Sequence, residues 1–240
     1  MNRVVTKGIV GNELVQKLLP HCHRRKYPAK ATIIRQGSPT GELFYLVSGS
    51  VTVLLEDENG HEIVMAYLHP GDFFGEIGLF NSDIGRTAVV RAKTRCDVAQ
   101  IGYGKLRALP EIFPELLVAM SSQLAARLRM TNRKLSNLAF MDVSGRVARA
   151  LIDLCNEPDA MTHPDGMQLR ITRQELGRIV GCSREMVGRV LKEMETSHLI
   201  TTHGKTIVVL GARPKAYGVI TGGMTGGVRN GQKPSPSSIS

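Results

Sequence analysis

Two arginines and a glutamate lie close together in the sequence directly after Ser183. An arginine guanidinium can donate two hydrogen bonds to guanine O6 and N7, and a carboxylate can accept one from cytosine N4. On a helix the polar residues of this segment share one face, namely Arg184, Glu185, Gly188, Arg189 and Lys192. The opposite face is apolar and consists of Val187, Val190, Leu191 and Met194. The pattern predicts a helix that reads base edges of double-stranded DNA.

The residues before this helix predict a helix-turn-helix. Thr172 can cap a first helix, and Glu175 three residues later can complete a capping box. Gly181–Cys182 interrupts the helical pattern, and Ser183 is suited to cap the second helix. The apolar face of the first helix would consist of Leu176, Ile179 and Val180. The alternative is an ordinary helical hairpin with a solvated charged face.

The segment after the second helix predicts a β-hairpin. Two short β-branched runs flank Gly204 in the sequence LITTHGKTIVVL. A helix-turn-helix followed by a hairpin is a winged helix. The hairpin turn would place His203 and Lys205 near phosphates, which position a protein on DNA without specifying sequence.

A second chemically distinctive stretch, Gly71–Thr87, is suited to bind a phosphate. Gly75 permits close backbone approach, and a short helix starting near Glu76 would offer free N–H groups to an anion. Arg86 supplies a charged fork and Thr87 a hydroxyl, while the Glu76 carboxylate could accept from a ribose 2′-OH. The alternative is that this is a common Gly-rich turn and that Arg86 is a surface residue.

Short strands and one long helix would position these residues. Turn signals separate β-rich runs between residues 30 and 103, which predicts a β-roll or barrel with a hairpin turn at Asn59–Gly60. From Pro114 the pattern becomes helical and continues for six turns without Gly or Pro. Its apolar seam consists of Leu117, Met120, Leu124, Leu128, Thr131, Leu135 and Leu138. A narrow seam favours a parallel homodimer; the alternative is that the helix packs on its own β-domain.

Composition excludes several functional classes. The 240-residue chain has a formal net charge of +10, but residues 143–210 carry 9 basic and 8 acidic groups, so charge alone is weak evidence for DNA binding. The four cysteines are scattered, which argues against a zinc or iron–sulfur site. No Ser–His–acid set or metal cluster is visible, so we expect no enzyme activity and no metal.

Without a signal peptide or an apolar run of ~20 residues, we expect a cytoplasmic protein with no membrane association. The Gly-, Pro- and Ser-rich segment 214–240 is expected to be disordered.

The motifs as a set resemble one known family. They include HCHRRKYPAK, GDFFGEIGLF, NLAFMDVSGR, PDAMTHPDGMQ, TRQELGRIVGCSRE and HGKTIVV, in that order from about His21 to Arg213. The chain resembles the cyclic-AMP receptor proteins within the receptor-protein/fumarate-nitrate regulator family of bacterial transcription factors. The resemblance implies an α+β fold of a cyclic-nucleotide-binding β-roll (1–113), a dimerisation helix (114–138), a hinge (139–142) and a winged helix-turn-helix (143–213).

The resemblance also implies a ligand and its contacts. The allosteric ligand would be 3′,5′-cyclic AMP, bound by Gly75, Glu76, Ile77, Arg86, Thr87, Thr131 and, from the partner subunit, residue 132. Position 132 is Asn here, where the family usually has Ser or Thr. One rival hypothesis is a regulator with an empty pocket or a cyclic dinucleotide as ligand. The other is a cyclic-nucleotide-binding subunit that acts on a protein partner instead of DNA.

The macromolecular contacts implied by the resemblance are DNA and RNA polymerase. Arg184, Glu185 and Arg189 would read a TGTGA-type half-site. The residues implied to contact phosphates are Arg173, Gln174, Ser183 and His203. A polymerase-contacting loop, Ala160–Gly166, would present Ala160, Thr162, His163 and Gly166, although a Pro–Asp–Gly turn forms equally well without a partner. A second polymerase surface would include His23 and Lys105.

Overall fold

The N-terminal half of the chain forms the predicted β-roll from eight short strands. The computed structural model describes residues 12–81 and 85–213. The strands are β1 (His23–Tyr27), β2 (Thr32–Ile34), β3 (Glu42–Ser48), β4 (Val51–Glu56), β5 (Glu62–Leu68), β6 (Phe73–Phe74), β7 (Val89–Ala92) and β8 (Cys96–Gly102). They pair in two antiparallel four-stranded sheets, ordered β1-β8-β3-β6 and β2-β7-β4-β5. Alternating apolar residues such as Leu46, Val51 and Val98 are fully buried between the sheets.

Short helices complete this domain. They are α1 (Asn12–Leu18), which continues as a 3-10 turn (Leu19–His21), α2 (Ile77–Phe80) and α3 (Tyr103–Arg107). Leu18 of α1 and Leu106 of α3 are buried in a second apolar cluster together with Leu116 and Met120 of the next helix. This cluster fixes the start of the long helix to the β-roll.

The β4–β5 hairpin forms where the sequence predicted it, but its turn is built differently. The strands pair through Glu56 and Glu62, so five residues form the loop. Gly60 has φ +79°, whereas Asn59 is not in the left-handed region. Asp57 organises the loop, because its Oδ1 accepts from the Asn59 and His61 amides at 2.9 and 2.8 Å.

The long helix α4 (Phe113–Phe140) extends beyond the predicted segment 114–138. Ala139 and Phe140, which the sequence analysis placed in the hinge, are helical, so the break before the next helix contains only Met141 and Asp142. The apolar seam is divided between two environments. Met120 is buried against the β-roll, whereas Leu128 and Leu135 are 61% and 66% exposed.

The C-terminal half forms the predicted winged helix-turn-helix. Its elements are α5 (Val143–Leu154), β9 (Met161–His163), β10 (Gly166–Arg170), α6 (Arg173–Val180), α7 (Arg184–Thr196), β11 (Ile200–His203) and β12 (Thr206–Leu210). The strands form one sheet, ordered β11-β12-β10-β9. The α6–α7 turn requires glycine twice: Gly181 has φ +74°, and a Cβ on Gly177 would lie 2.7 Å from the Cys182 carbonyl oxygen.

Three further predictions concern the segment 214–240, membrane association and metal binding. The segment 214–240, predicted to be disordered, lies outside the described residues. Within residues 12–81 and 85–213, the helices are too short or too polar to cross a membrane. In the same ranges, His, Cys, Asp and Glu side chains form no group of three that could hold a metal ion.

Candidate ligand pocket and nucleic-acid interface

A cavity of about 440 Å³ lies between the β-roll and α4. Its wall brings together six of the seven predicted ligand residues, namely Gly75, Glu76, Ile77, Arg86, Thr87 and Thr131. The α5–β9 loop of the C-terminal half adds Asn156, Glu157 and Pro158. Asn132 is exposed on α4 and is absent from the wall that the described residues of its own chain form.

Arg86 is a buried cation in the cavity wall and not a surface residue, since it is only 8% exposed. Its Nη1 donates to the Gly75 carbonyl oxygen at 2.9 Å and to the Tyr103 hydroxyl at 3.2 Å, and its Nη2 donates to the Glu42 carbonyl oxygen at 2.9 Å. These acceptors are neutral, so they hold the guanidinium in place without cancelling its charge. The arrangement is suited to bind an anion such as a cyclic phosphate.

Gly75 packs closely against the buried cation of its own chain. It has φ +76°, and a Cβ at this position would lie 2.6 Å from Arg86 Nη1 and 3.0 Å from the Phe44 ring. Any larger residue would therefore displace the buried cation. Glu76 is the N-cap of α2 and is 7% exposed. With only four residues, α2 adds a turn of backbone N–H groups to this wall.

Arg127 of α4, a residue that the sequence did not single out, connects the long helix to the turn Gly75–Glu76 after β6, which we name the ligand loop. Arg127 Nη1 lies 2.8 Å from Glu76 Oε1, and Nη2 donates to the Phe73 carbonyl oxygen. Gln123, one turn earlier, is 2% exposed and binds the backbone of Gly71 and Phe73 through its amide. The four-residue spacing of Gln123, Arg127 and Thr131 was the available signal, because it places three polar side chains along one ridge of α4.

The recognition face of α7 has the predicted geometry. Val187, Val190 and Leu191 are buried, whereas the base-reading candidates Arg184, Glu185 and Arg189 are exposed. The Ser183 hydroxyl caps the helix by accepting from the Met186 amide at 3.2 Å. Hydrogen bonds from its own amide and from Ser183 lower the pKa of Glu185, as do the nearby arginines. Glu185 is therefore an ionised hydrogen-bond acceptor.

The predicted phosphate contacts surround this face. Arg173 and Gln174 are exposed at the start of α6, and His203 and Lys205 are exposed at the tip of the β11–β12 hairpin. The Arg173 guanidinium lies 3.6 Å from where a Cβ on Gly188 would be, so α6 and α7 meet through this side chain.

The capping box forms only in part. The Thr172 hydroxyl accepts from the Glu175 amide at 3.0 Å, as predicted. The Glu175 carboxylate instead accepts from the Tyr67 hydroxyl of β5, at 3.3 Å. Ile179, assigned to the apolar face of α6, also packs against a β-roll cluster that includes Val64 and Tyr67.

The residues assigned to polymerase contact occupy two regions. Ala160, Thr162, His163 and Gly166 do not form a simple loop, because β9 and β10 pair with His163 opposite Gly166 and leave a two-residue turn. His23 is exposed on edge strand β1, and Lys105 lies on α3. Burial raises the pKa of Cys22 to about 11, and the nearby Lys105 ammonium offsets a small part of that rise. This influence places Lys105 near the start of β1.

Comparison with known proteins agrees with both halves of the fold. Residues 24–112 match the family model of the cyclic nucleotide-binding domain, and residues 145–213 match that of the Crp-like helix-turn-helix domain. The chain is 58% identical over 202 residues to the cAMP-activated global transcriptional regulator Vfr of Pseudomonas aeruginosa, covering 83% of this chain and 94% of Vfr. It is 57% identical over 195 residues to the cAMP-activated global transcriptional regulator CRP of Salmonella typhimurium, covering 81% and 93% of the two chains.

A solved structure of a transcription regulator has the same fold. The c-di-GMP responsive global regulator CLP of Xanthomonas campestris is 44% identical, with a TM-score of 0.81 over 84% of this chain and all of that chain. The relatives are transcriptional regulators and not enzymes, as the sequence analysis expected. The chain is therefore a DNA-binding transcription regulator with a cyclic nucleotide-binding domain, and it belongs to the CRP/FNR (receptor-protein/fumarate-nitrate regulator) family.

Proposed function

We propose that this protein is a homodimeric, cyclic-AMP-dependent transcription regulator that binds palindromic TGTGA-type DNA sites and contacts RNA polymerase in the cytoplasm. One observation carries the proposal. A cavity that contains the buried cation Arg86 lies between the β-roll and α4, and the same chain exposes the recognition face of α7. The cavity and the recognition face are two distinct sites in one packed chain, and a coupling free energy between two such sites is what defines an allosteric regulator.

The cavity supports cyclic AMP as the ligand. Arg86 and Thr87 would hold the cyclic phosphate with the Gly75–Ile77 backbone, and Glu76 would accept from the ribose hydroxyl. Thr131 would meet the base, with Asn132 supplied by the partner subunit. An amide can accept from the adenine amino group and, when flipped, donate to guanine O6. We therefore expect weaker discrimination against cyclic GMP than a serine at position 132 would give.

The exposed part of α4 supports a dimer. Leu128, Leu135 and Leu138, which share one side of the helix, are 61%, 66% and 53% exposed. Such a row of large apolar side chains on one helix is unfavourable in water and is covered when two copies pair. Pairing would place two recognition helices to read half-sites about 34 Å apart, one turn of DNA. The β9–β10 hairpin and the surface around His23 and Lys105 remain available for polymerase.

Gel-shift titration tests the proposal directly. The operator would contain two TGTGA half-sites, and the control DNA would have the same composition in scrambled order. We expect cyclic AMP to increase operator affinity by at least tenfold and to leave scrambled DNA largely unaffected. Equal affinity with and without ligand would contradict ligand dependence, and equal affinity for both DNAs would contradict the half-site.

A cyclic dinucleotide is a second candidate ligand, favoured by the structural likeness to the c-di-GMP responsive regulator CLP. Calorimetry with cyclic AMP, cyclic GMP and cyclic di-GMP separates the candidates. We expect cyclic AMP to bind most tightly. Asn132→Ser should widen the gap between cyclic AMP and cyclic GMP by no more than about 1.5 kcal/mol, the size of one neutral hydrogen bond. An unchanged ratio would show that residue 132 does not reach the base.

A further inference from the structure

The C-terminal domain contacts the β-roll of its own chain through α6. Glu62 of β5 accepts from Arg91 of β7 at 2.7 Å, and its second oxygen lies 3.1 Å from Arg178 Nη1. The Tyr67 hydroxyl donates to Glu175 at 3.3 Å. Glu175 and Arg178 are three residues apart and therefore share one face of α6. That face meets β5, whereas the recognition face of α7 remains exposed.

The α5–β9 loop makes a second set of contacts between the same two domains. His69 Nε2 lies 2.8 Å from Glu157 Oε2, and Lys93 Nζ lies 2.7 Å from Asp159 Oδ2. The Lys93 ammonium also lies over the Tyr67 ring, 4.6 Å from its centroid. All four interdomain pairs match a donor or cation with a carboxylate. We name this set the latch: Glu62–Arg178, Tyr67–Glu175, His69–Glu157 and Lys93–Asp159.

Apolar packing supports the latch from within. Leu54, Val64, Tyr67 and Val89 form a buried cluster on the β-roll, and Leu154 and Ile179 of the C-terminal domain pack against it. Removal of the cation partner of a buried carboxylate destabilises the folded state, because the remaining charge is left without compensation. Glu62 and Glu157 have side chains only 10% and 9% exposed, so their pairs are sensitive to substitution.

The latch is continuous with the ligand cavity. Asn156, Glu157 and Pro158 line the cavity beside His69, so one wall belongs to the C-terminal domain. A ligand in contact with this wall binds more favourably when the domains are together than when they are apart. That difference in affinity is what a ligand needs in order to shift a conformational equilibrium.

We infer that residues 156–158 form a lid on the ligand cavity of their own chain, and that the latch transmits cavity occupancy to the helix-turn-helix. The inference rests on the proposed function only in that a cyclic nucleotide fills this cavity. Because coupling is reciprocal, opening the latch must weaken ligand binding as well as the effect of ligand on DNA binding.

Arg178→Glu tests the latch by placing a carboxylate against Glu62. The matched control is Arg170→Glu, the same charge change at an exposed position of β10 in the same domain. In DNA-free protein, we expect Arg178→Glu to lower cyclic AMP affinity about fivefold or more by calorimetry, the lower range of allosteric couplings. The cyclic AMP affinity of Arg170→Glu should stay within about twofold of that of the unmodified protein. Equal affinities in all three proteins would overturn the inference.

A milder pair of variants tests the latch even if Arg178→Glu misfolds. Tyr67→Phe and Glu175→Gln each weaken one hydrogen bond without a change of volume. If the bond acts in the latch, the double variant should lose no more cyclic AMP affinity than either single variant. Additive losses, or none, would count against the latch.

Hydrogen exchange separates failure of the inference from failure of the proposed function. Cyclic AMP should slow amide exchange across residues 156–160 in the unmodified protein and in Arg170→Glu, but not in Arg178→Glu. If the unmodified protein binds no cyclic AMP, the proposed function fails. The latch is then still tested, because Arg178→Glu must exchange faster than Arg170→Glu across β5 and residues 156–160 without ligand. Equal rates would overturn it.

Discussion

Arg127 Nη1 lies 2.8 Å from Glu76 Oε1, which joins the long helix α4 to the ligand loop across 51 residues of sequence. The carboxylate side chain is 9% exposed, so the pair is largely removed from water. The same guanidinium donates to the Phe73 carbonyl oxygen just before Gly75. Movement of α4 relative to the β-roll must therefore disturb the backbone that is proposed to hold the cyclic phosphate.

Arg127→Met should destabilise the protein by about 3 kcal/mol, because it leaves Glu76 buried without a cation. Urea denaturation measures the loss. Arg129→Met, two residues later on an exposed position of the same helix, is the control and should have little effect. Adding Glu76→Gln to Arg127→Met should restore part of the stability, since an amide carries no charge. If the double variant is no more stable than Arg127→Met, the ion pair is not the cause.

Arg86→Leu should abolish cyclic nucleotide binding in calorimetry, because it removes the buried cation opposite the phosphate position. The far-ultraviolet circular dichroism spectrum should keep its shape, since the β-roll core does not include this side chain. Arg24→Leu is the control: Arg24 is on strand β1 and pairs with Asp97, outside the cavity wall. Nucleotide binding at near-native affinity in folded Arg86→Leu would place the phosphate elsewhere.

Arg184→Ala and Lys205→Ala should weaken DNA binding in two different ways. Loss of the Arg184 base contact should cost about 1–3 kcal/mol on the preferred operator and relax the preference at one position. Loss of a phosphate contact at Lys205 should weaken all sequences and reduce the slope of log affinity against log salt by about one. Gel shifts over a salt series on matched and mismatched operators distinguish the two. Unchanged operator preference in Arg184→Ala would mean that this residue does not read a base.

Leu128→Glu and Leu135→Glu should convert the protein to a monomer in sedimentation velocity, because each places a charge in the proposed helix–helix interface. Both positions are exposed in the single chain, so the fold of the monomer should be retained. Leu199→Glu, at a 54% exposed position of the winged helix domain, is the matched control and should remain dimeric. A dimer in both α4 variants would locate the interface on another surface.

Lys134 gives a prediction for the dependence of stability on pH. Its Nζ donates to the Val64 and Met65 carbonyl oxygens at 3.1 and 2.7 Å, and burial lowers its pKa below the ordinary value of 10.5. Between the folded pKa and 10.5 the unfolded chain binds more protons, so the stability contribution of Lys134 rises with pH. The unfolding free energy of the unmodified protein should therefore increase relative to Lys134→Met as the pH approaches 10.5. Lys192→Met, at an exposed position of α7, is measured over the same pH range as the control.

Local features of the sequence determined most of the fold and the DNA-binding surface. The caps Thr172 and Ser183, the interruption at Gly181 and the helical spacing around Val187 act over a few residues, so they identify the helix-turn-helix without knowledge of its neighbours. The same holds for the glycine-punctuated strands. Gly75 and Arg86 could also be identified from the sequence alone, because their residue types are chemically distinctive.

Tertiary structure alone decided the partners of charged side chains and the two environments of α4. Arg127–Glu76 and Tyr67–Glu175 join residues 51 and 108 positions apart, and such pairs depend on how separately folded elements pack. The apolar seam looked continuous because periodicity shows which face is apolar but not what covers it. The β-roll covers Met120 but not the side chains of Leu128 and Leu135, which stay exposed in the single chain.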